Sequence, residues 1–557
     1  MHQGKIHFYD THSLFQNHLI INMKNRLFAF AASACVLWFS GRLTSTAQTI
    51  NNSAPSHLVV VICVDGMQSE HLSLLWPALG KGGFRRIVEH CWYAPNTTCN
   101  YDAAGRAADY ASFITGTMPR YHGITGDRLY SVVEDATISI VADGKYNGIG
   151  SHLGTSPKNL QVMTLGDVLK TTHVQAKVYA VAPTPECAVM LGGHLADGAV
   201  WVADNGRLAS SDYYNNMPLW ADRMNSNDLI TKYIQSAWRP IHRLPTYRFP
   251  ARRRMSEKEE CFYRPNPQAS TEERVMAFRQ TPYCNTLMKD LAIKALQEEH
   301  LGTDAFTDLL CVQFTANPVG QDYGVFNSAE REDLYLKLDK DVELLLNAID
   351  ARVGLNNTIV VLMGTRMKPY PIDALERSRV SHGNFNTIRA TALLNGYLMS
   401  IYGQGRWVSN IYARNITLNH ALIEKQKINL NEIRHAAASF MTQFEGVLTA
   451  YTQEQIALAT GNDDNTLIRL QNGQYKQRSG DVVITLLPGW QEVDANGQTI
   501  APLNAPGGYL PVFIATGKST QQLASQTVQI TDIVPTLCYL LQLPQPNAAT
   551  GKILNVK

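Results

Sequence analysis

The sequence predicts an α/β fold: an α/β/α sandwich around a central, mostly parallel sheet. Two observations carry that expectation. Short, continuous apolar runs recur along the 557 residues, with patterns of helical period between them. Strands buried on both faces of a parallel sheet have this continuous rather than alternating character. The first such run, HLVVVICVDGM at 57–67, places Asp65 where it would end a strand. The carboxyl ends of parallel strands are where such sheets carry their chemistry.

Taken in order, the chain opens with a segment that is not part of the fold. From Met23 it reads MKNRLFAFAASACVLWFSGRLTSTAQT, two positive charges followed by an apolar run and then small residues. This is the pattern of a secretory signal peptide over 23–47, with cleavage between Ala47 and Gln48. The apolar run is too short to span a bilayer. Residues 1–22 resemble neither signal nor domain and are read as a mis-assigned start. The folded part is expected over 48–557, with no membrane-spanning segment, in an exported compartment. After the run at 57–67, further strands are expected at 177–182, 308–314, 358–363, 482–487 and 510–515. Between the third and fourth, Leu334, Leu338, Val342, Leu345 and Ile349 recur at helical spacing, and Gly354 ends the helix. The stretch 205–280 is rich in Arg, Tyr, Asn and Pro and is expected to be a cap insertion, and 400–480 a second one.

Composition excludes several function classes. A formal charge of +2 gives no global field for nucleic acid or an acidic membrane surface. Arg252-Arg253-Arg254, with Arg239, Arg243 and Arg248 ahead of it, is a local basic run that suits either a solvated insertion or an anion-binding patch. Of nine cysteines, eight follow the leader and none forms a CxxC pair, which argues against a structural zinc knuckle. Cys63, Cys311 and Cys538 read as small core residues, while a Cys91–Cys99 disulfide is open in an oxidising compartment.

Six segments resemble, in the same order, the phosphate-insensitive single-chain alkaline phosphatases near the type I phosphodiesterase and nucleotide pyrophosphatase branch. They are VVVICVDGM, FITGTMPRYHGITGDRLY, TPYCNTLMKDLAIKAL, EDLYLKLDKDVELLLNAID, RSGDVVI and ITDIVPTLCYLLQLPQPNAATGK, spread over 57–553. The resemblance implies the alkaline phosphatase fold and a site with two zinc ions about 4 Å apart. It also implies a Thr nucleophile and an Asn, Lys and Arg trio for the phosphoryl group. Asp65 matches the first metal-binding Asp. Arg106 falls in the nucleophile slot, and no Ser or Thr lies between Thr98 and Ser112. Asn317 and Gln321 stand for an Asp and a His, and Thr365 and Arg366 for the Asp and His of an Ala-Asp-His-Gly signature. The last His falls near Ile500. In the phosphate-holding trio, Asp127 replaces Asn, and Thr184 and Glu186 replace Lys and Arg.

Carboxylates at 127 and 186 would repel a phosphoryl dianion, by about 4 kcal/mol per charge pair at 4 Å and a surface-like dielectric. The expectation is therefore a secreted pseudoenzyme with a vestigial pocket, no catalytic residue and no cofactor. It would act as a binding or structural component with an unidentified protein partner. The alternative is a metal-dependent phosphate- or sulfate-ester hydrolase with a rebuilt site, which would require two zinc ions. His122 and His194 are expected to be structural, and His382 is a candidate displaced ligand. Asp65, Asp127 and Glu186 together could suit a hard cation such as Ca²⁺. Finally, a buried Asp65 needs a cation, and Arg106, Arg366 or both are expected to supply it.

Overall fold

The computed structural model describes residues 56–251, 261–319, 328–366, 375–376, 379–461, 466–500, 509–517 and 521–556. Residues 23–47, where a leader is expected, residues 1–22, Arg252–Arg254 and Gln321 lie outside them. The strands are β1 (Leu58–Asp65), β2 (Trp92–Thr98), β3 (Arg128–Ser131), β4 (Ala136–Ser139), β5 (Gly148–Ile149) and β6 (Val178–Ala182). There follow β7 (Gly198–Val202), β8 (Leu208–Ser211), β9 (Asp308–Thr315), β10 (Thr358–Met363), β11 (Gly383–Asn386) and β12 (Val408–Tyr412). The last are β13 (Asn415–Leu418), β14 (Val447–Thr452), β15 (Val482–Leu486), β16 (Trp490–Val493), β17 (Tyr509–Thr516) and β18 (Gln522–Leu523).

Ten of these form one sheet in the order β18-β2-β17-β10-β1-β9-β6-β7-β8-β5. Its heart, β10-β1-β9-β6-β7, is parallel throughout, and β17 pairs antiparallel to both β10 and β2. The reason lies in the side chains. LVVVICVD and DLLCVQFT are buried at every position, which only a strand covered on both faces requires. Helices Ala107–Thr115 (α1), Pro185–Gly192 (α2), Pro282–Glu298 (α3) and Ala329–Arg352 (α4) connect these strands. On α4 the five residues of the helical stripe are all buried, and Gly354 turns the chain out at φ +83°.

One strand expectation is corrected. VVITL at 482–486 is not in the central sheet but in a separate antiparallel sheet, β12-β13-β15-β14. That sheet packs on helices Thr387–Tyr402 (α5) and Leu430–Met441 (α6) around Phe385, Leu394, Trp407, Ile433 and Ile484. The apolar run is alike in both settings, because here too the strand is covered on its inner face and central in its sheet. The segment around Trp238, Tyr247 and Phe262 packs against Ala329 and Leu334. It is tied down by Asp333, which accepts from Trp238 Nε1, Ile241 N and Tyr247 Oη, each at 2.6 Å.

The eight cysteines from Cys63 to Cys538 are free thiols, and the Cys91–Cys99 disulfide does not form: Cys91 Sγ instead donates to Val88 O. No helix among the described residues is long and apolar enough to cross a membrane.

Candidate functional site

The parallel core gathers the carboxyl ends of β10, β1, β9 and β6 side by side. Asp65 ends β1, Thr365 and Arg366 follow β10, Asn317 follows β9, and Thr184 and Glu186 follow β6. Gly66, at φ +81°, turns the chain directly after Asp65. A side chain there would overlap the Asn317 amide at 2.2 Å, so the glycine is what lets Asn317 close over the strand end.

Asp65 is buried and both of its oxygens are engaged. Arg106 Nη1 donates to Oδ2 at 2.5 Å, and the Thr365 hydroxyl donates to Oδ1 at 3.1 Å. Thr365 Oγ1 in turn accepts from Gly66 N at 2.8 Å. Charge-assisted contacts of this kind are the stronger class of hydrogen bond. Arg106 stands at the N-cap of α1, close enough to reach back to β1.

The amino end of α1 is closed in a complementary way. Asp127 Oδ1 accepts from Arg106 N at 2.8 Å and from Ala107 N at 2.7 Å. Those amides are the positive pole of the helix and a natural anion cradle. A carboxylate of the protein itself occupies it. Gly105 (φ +83°) makes the approach possible, since a Cβ there would lie 2.3 Å from the Asp127 carboxyl carbon.

Arg366 does not reach Asp65. It forms a two-point pair with Asp109, Nη2 to Oδ1 at 2.5 Å and Nε to Oδ2 at 3.1 Å. Nη1 donates to Tyr101 O at 2.9 Å, and the guanidinium stands 4.7 Å from the centre of the Tyr101 ring. Tyr101 Oη donates to Asp109 Oδ1 at 2.8 Å. Burial alone would weaken proton binding by Arg366, but the field of Asp109 outweighs it and holds the charge well above the usual arginine range. The expectation that Arg106, Arg366 or both would neutralise Asp65 is met by Arg106 alone, while Arg366 turns elsewhere. Its fork fits the carboxylate one helical turn beyond Arg106, a partner that counting along α1 from Arg106 would have found.

The remaining candidates are placed as follows. Thr184 caps α2 without a side-chain hydrogen bond. Glu186 Oε1 accepts from Ser139 Oγ at 2.6 Å. Burial pushes its carboxyl above the usual range, Ser139 opposes this, and the nearby charge of Asp127 adds to it. Asn317 is buried, and its Nδ2 has no hydrogen-bond partner among the described residues. Ile500 belongs to the β16 hairpin, where its amide donates to Glu492 O, and no described contact joins it to Asp65. His382 lies against Val380 O and Glu376, also apart from Asp65.

The two histidines expected to be structural are held by the fold. His122 Nδ1 accepts from Ile124 N, so Nε2–H faces Ser112 Oγ at 2.9 Å. Burial pushes its pKa down to about 3. His194 has acceptors at both ring nitrogens, Asp167 Oδ2 at 2.9 Å and Leu160 O at 3.0 Å. Cys187, whose thiol feels the Arg106 charge, is no substitute nucleophile, because burial pushes it up to about 12.

A pair of zinc ions does not fit these residues. The carboxylate that would bind one is held by a guanidinium and a hydroxyl, and the neighbouring slots carry an amide, a threonine and an arginine. Among the described residues no group of three or more His, Cys, Asp or Glu is placed to hold a metal. That includes Asp65, Asp127 and Glu186, so a hard-cation site there has no support either.

Comparison with known proteins agrees on the family. Residues 59–509 match the model of the type I phosphodiesterase / nucleotide pyrophosphatase family. Alkaline phosphatase PafA of Elizabethkingia meningoseptica is 26% identical over 537 residues, covering 93% of this chain and 97% of that protein. Alkaline phosphatase PhoV of Synechococcus elongatus is 26% identical, covering 89% and 92%. A protein named calcium-transporting ATPase from Myroides odoratus is 27% identical, covering 89% and 93%. The crystal structure of wild-type alkaline phosphatase PafA superimposes with a TM-score of 0.79 at 23% identity, over 90% of this chain and 99% of that one. The chain belongs to the type I phosphodiesterase / nucleotide pyrophosphatase family and has the alkaline phosphatase-like fold.

Proposed function

We infer that this chain is a non-hydrolytic member of its family, exported through the 23–47 leader, and that it acts by binding through a single domain over 48–557 carrying insertions at 205–280 and 400–480. One observation supports this above the others: the Arg106 guanidinium lies 2.5 Å from the strand-end carboxylate of Asp65. A cation supplied by the chain stands where the resemblance calls for a metal and a nucleophile, and Asp127 fills the anion cradle of α1 in the same manner.

The relatives favour a second reading, a phosphate-ester hydrolase, since alkaline phosphatases match nearly the whole chain. Identity near one residue in four carries the fold, but chemistry depends on the particular residues at the strand ends. A hydrolase built here would need a nucleophile and a metal set other than the slots described above.

Elemental analysis of purified protein, with turnover of p-nitrophenyl phosphate, bis-p-nitrophenyl phosphate and p-nitrophenyl sulfate, separates the two readings. The expected result is well under one zinc per chain, no turnover, and a melting temperature unmoved by chelator, because no bound ion stabilises the fold by mass action. Two zinc ions per chain with zinc-dependent turnover would establish the hydrolase.

A further inference from the structure

A polar cleft lies beside the closed strand-end cluster, between the β12–β13 hairpin and the loops around β3 and ahead of α1. Asp102, Arg128, Tyr412, Arg414, Gln474 and Arg478 are among the residues lining it, and Asp65, Arg106 and Asp127 are not. We propose that this cleft binds a small tetrahedral oxyanion of phosphate type, free or as the end group of a small ester, through Arg414, Arg478 and Arg128. The proposal deepens the binding reading above and rests on it in one respect, that the anion is held and not turned over.

The hairpin that presents Arg414 is built at a cost. Tyr412 pairs with Asn415, so the two-residue loop is Ala413-Arg414, and both residues have positive φ, 50° and 61°. Loops of this length with two left-handed residues ordinarily carry Asn-Gly or Asp-Gly. Side-chain-bearing residues held there are strained and persist where the surroundings enforce the geometry. Glu492 does so here, its Oε2 accepting from Arg414 N at 2.9 Å. The Arg414 guanidinium itself makes no hydrogen bond or close ion pair with any described residue, and burial lowers its affinity for the proton. An arginine with five donors, partly withdrawn from water and left without an acceptor, is matched by an oxyanion.

The other two arginines are fixed by single nitrogens. Arg478 Nη1 donates to Gly123 O and Asn159 O, each at 2.6 Å, with the guanidinium 4.9 Å from the centre of the Tyr475 ring. Arg128 Nη2 donates to Thr137 O at 2.6 Å. Nε and the second Nη of each have no acceptor among the described residues. Of the carboxylates nearby, Asp127 closes α1 and Asp102 faces Arg469 at 3.6 Å. The charges of Glu492 and Asp102 favour the protonated form of Arg414, but neither forms a hydrogen bond or close ion pair with its guanidinium. The cavity, about 50 Å³, takes roughly three to five waters at 10–15 Å³ each, or one five-atom oxyanion.

Isothermal titration of the mature chain with inorganic phosphate and with sulfate, at low ionic strength, tests this. The expected result is saturable binding that weakens at least tenfold in Arg414→Gln and in Arg128→Gln, and keeps its wild-type affinity in Arg106→Ala. Both glutamine variants lie on exposed or hairpin-tip positions, and circular dichroism checks that they fold. An absence of saturable binding by wild type, or wild-type affinity in Arg414→Gln, would overturn the cleft assignment. So would loss in Arg106→Ala alone, which puts the anion among the strand ends. Turnover of an ester by the wild-type chain would overturn the non-hydrolytic reading, while the affinity of Arg414→Gln still decides the cleft.

Discussion

Replacing Arg366 with Ala tests how the strand end after β10 is held together. Arg366 and Asp109 side chains are each 1% exposed, so neither can turn to water for compensation. The substitution removes two charge-assisted bonds to Asp109, one bond to Tyr101 O and the stack on the Tyr101 ring. The Tyr101 hydroxyl remains on Asp109, but it is neutral and cannot offset a buried charge. Removing one partner of a buried ion pair costs about 3–5 kcal/mol. Urea unfolding at pH 7.5, followed by tryptophan fluorescence, would show it as a lower midpoint at constant slope. A second variant separates stranded charge from lost packing. Arg366→Met combined with Asp109→Leu removes both charges at similar volume, and the penalty should largely disappear. A loss below about 1 kcal/mol in Arg366→Ala would refute the buried pair. Failure of the double variant to recover would place the cost in packing instead.

Arg106→Thr places a hydroxyl where the resemblance expects a nucleophile, yet it should bring neither zinc nor turnover of p-nitrophenyl phosphate, since a hydroxyl without metals or a base is not activated. Arg106 is 26% exposed, so the same variant should lose less than Arg366→Ala, about 1–3 kcal/mol by urea unfolding. Asp127→Ala leaves two α1 amides without their acceptor and should cost about 1 kcal/mol, the usual value of a helix cap, measured the same way. Glu492 gives a pH-dependent prediction: burial, opposed by the Arg414 and Ala413 amides and the Arg414 charge, raises its carboxyl from 4.5 to about 7. It therefore holds its proton longer folded than unfolded, so its contribution is fully present below pH 4.5 and is lost as pH rises through about 7. That loss reaches about 3 kcal/mol. Glu492→Gln should flatten stability over this window and melt higher than wild type at pH 8, and an unchanged pH profile would contradict it.

The sheet was legible because burial on both faces leaves a mark on composition. LVVVICVD, VYAVA, DLLCVQFT and TIVVLM carry almost no polar residue before the strand end, and each lies in the parallel core. VVITL carries the same mark in a different sheet, because an apolar run reports how deeply a strand is covered and not which strands lie beside it. At the site, the sequence placed Asp65 and Arg106 from one motif each, and the distance between them follows from α1 beginning at the level where β1 ends. Arg366 turns to Asp109 rather than Asp65 for a related reason. Its slot lies beside the Asp65 slot in the resemblance, but an arginine is longer than a histidine and its fork reaches the next turn of α1. The cleft at Arg414 left no motif at all. It depends on β12 and β13 pairing so tightly that a two-residue loop must hold an arginine at positive φ.

Why single substitutions should fail to build a metal site follows from the way these positions are paired. Asp65 is neutralised by Arg106, and the backbone amide of that same Arg106 is bound by Asp127. Arg366 is neutralised by Asp109, one turn along the helix that Arg106 begins. Arg106, Asp127 and Arg366 are therefore each met in charge or hydrogen bonding by another residue of the chain. A change of Arg106 alone strips Asp65 of its cation, and a change of Asp127 alone exposes the amides of α1. Changing Thr365 to Asp would set a second carboxylate beside Asp65, where the hydroxyl now donates at 3.1 Å. Two carboxylates that close cannot both stay ionised without a cation between them, and Arg106 supplies only one positive charge. Metal chemistry at these strand ends would have to replace Arg106, Thr365 and Arg366 together and supply new partners for Asp109 and the α1 amides. Asp65, Arg106, Asp127, Thr365, Arg366 and Asp109 are linked through one helix end and one strand end, so their effects on stability should be strongly non-additive among themselves and additive with changes at Arg414, which lies outside the set.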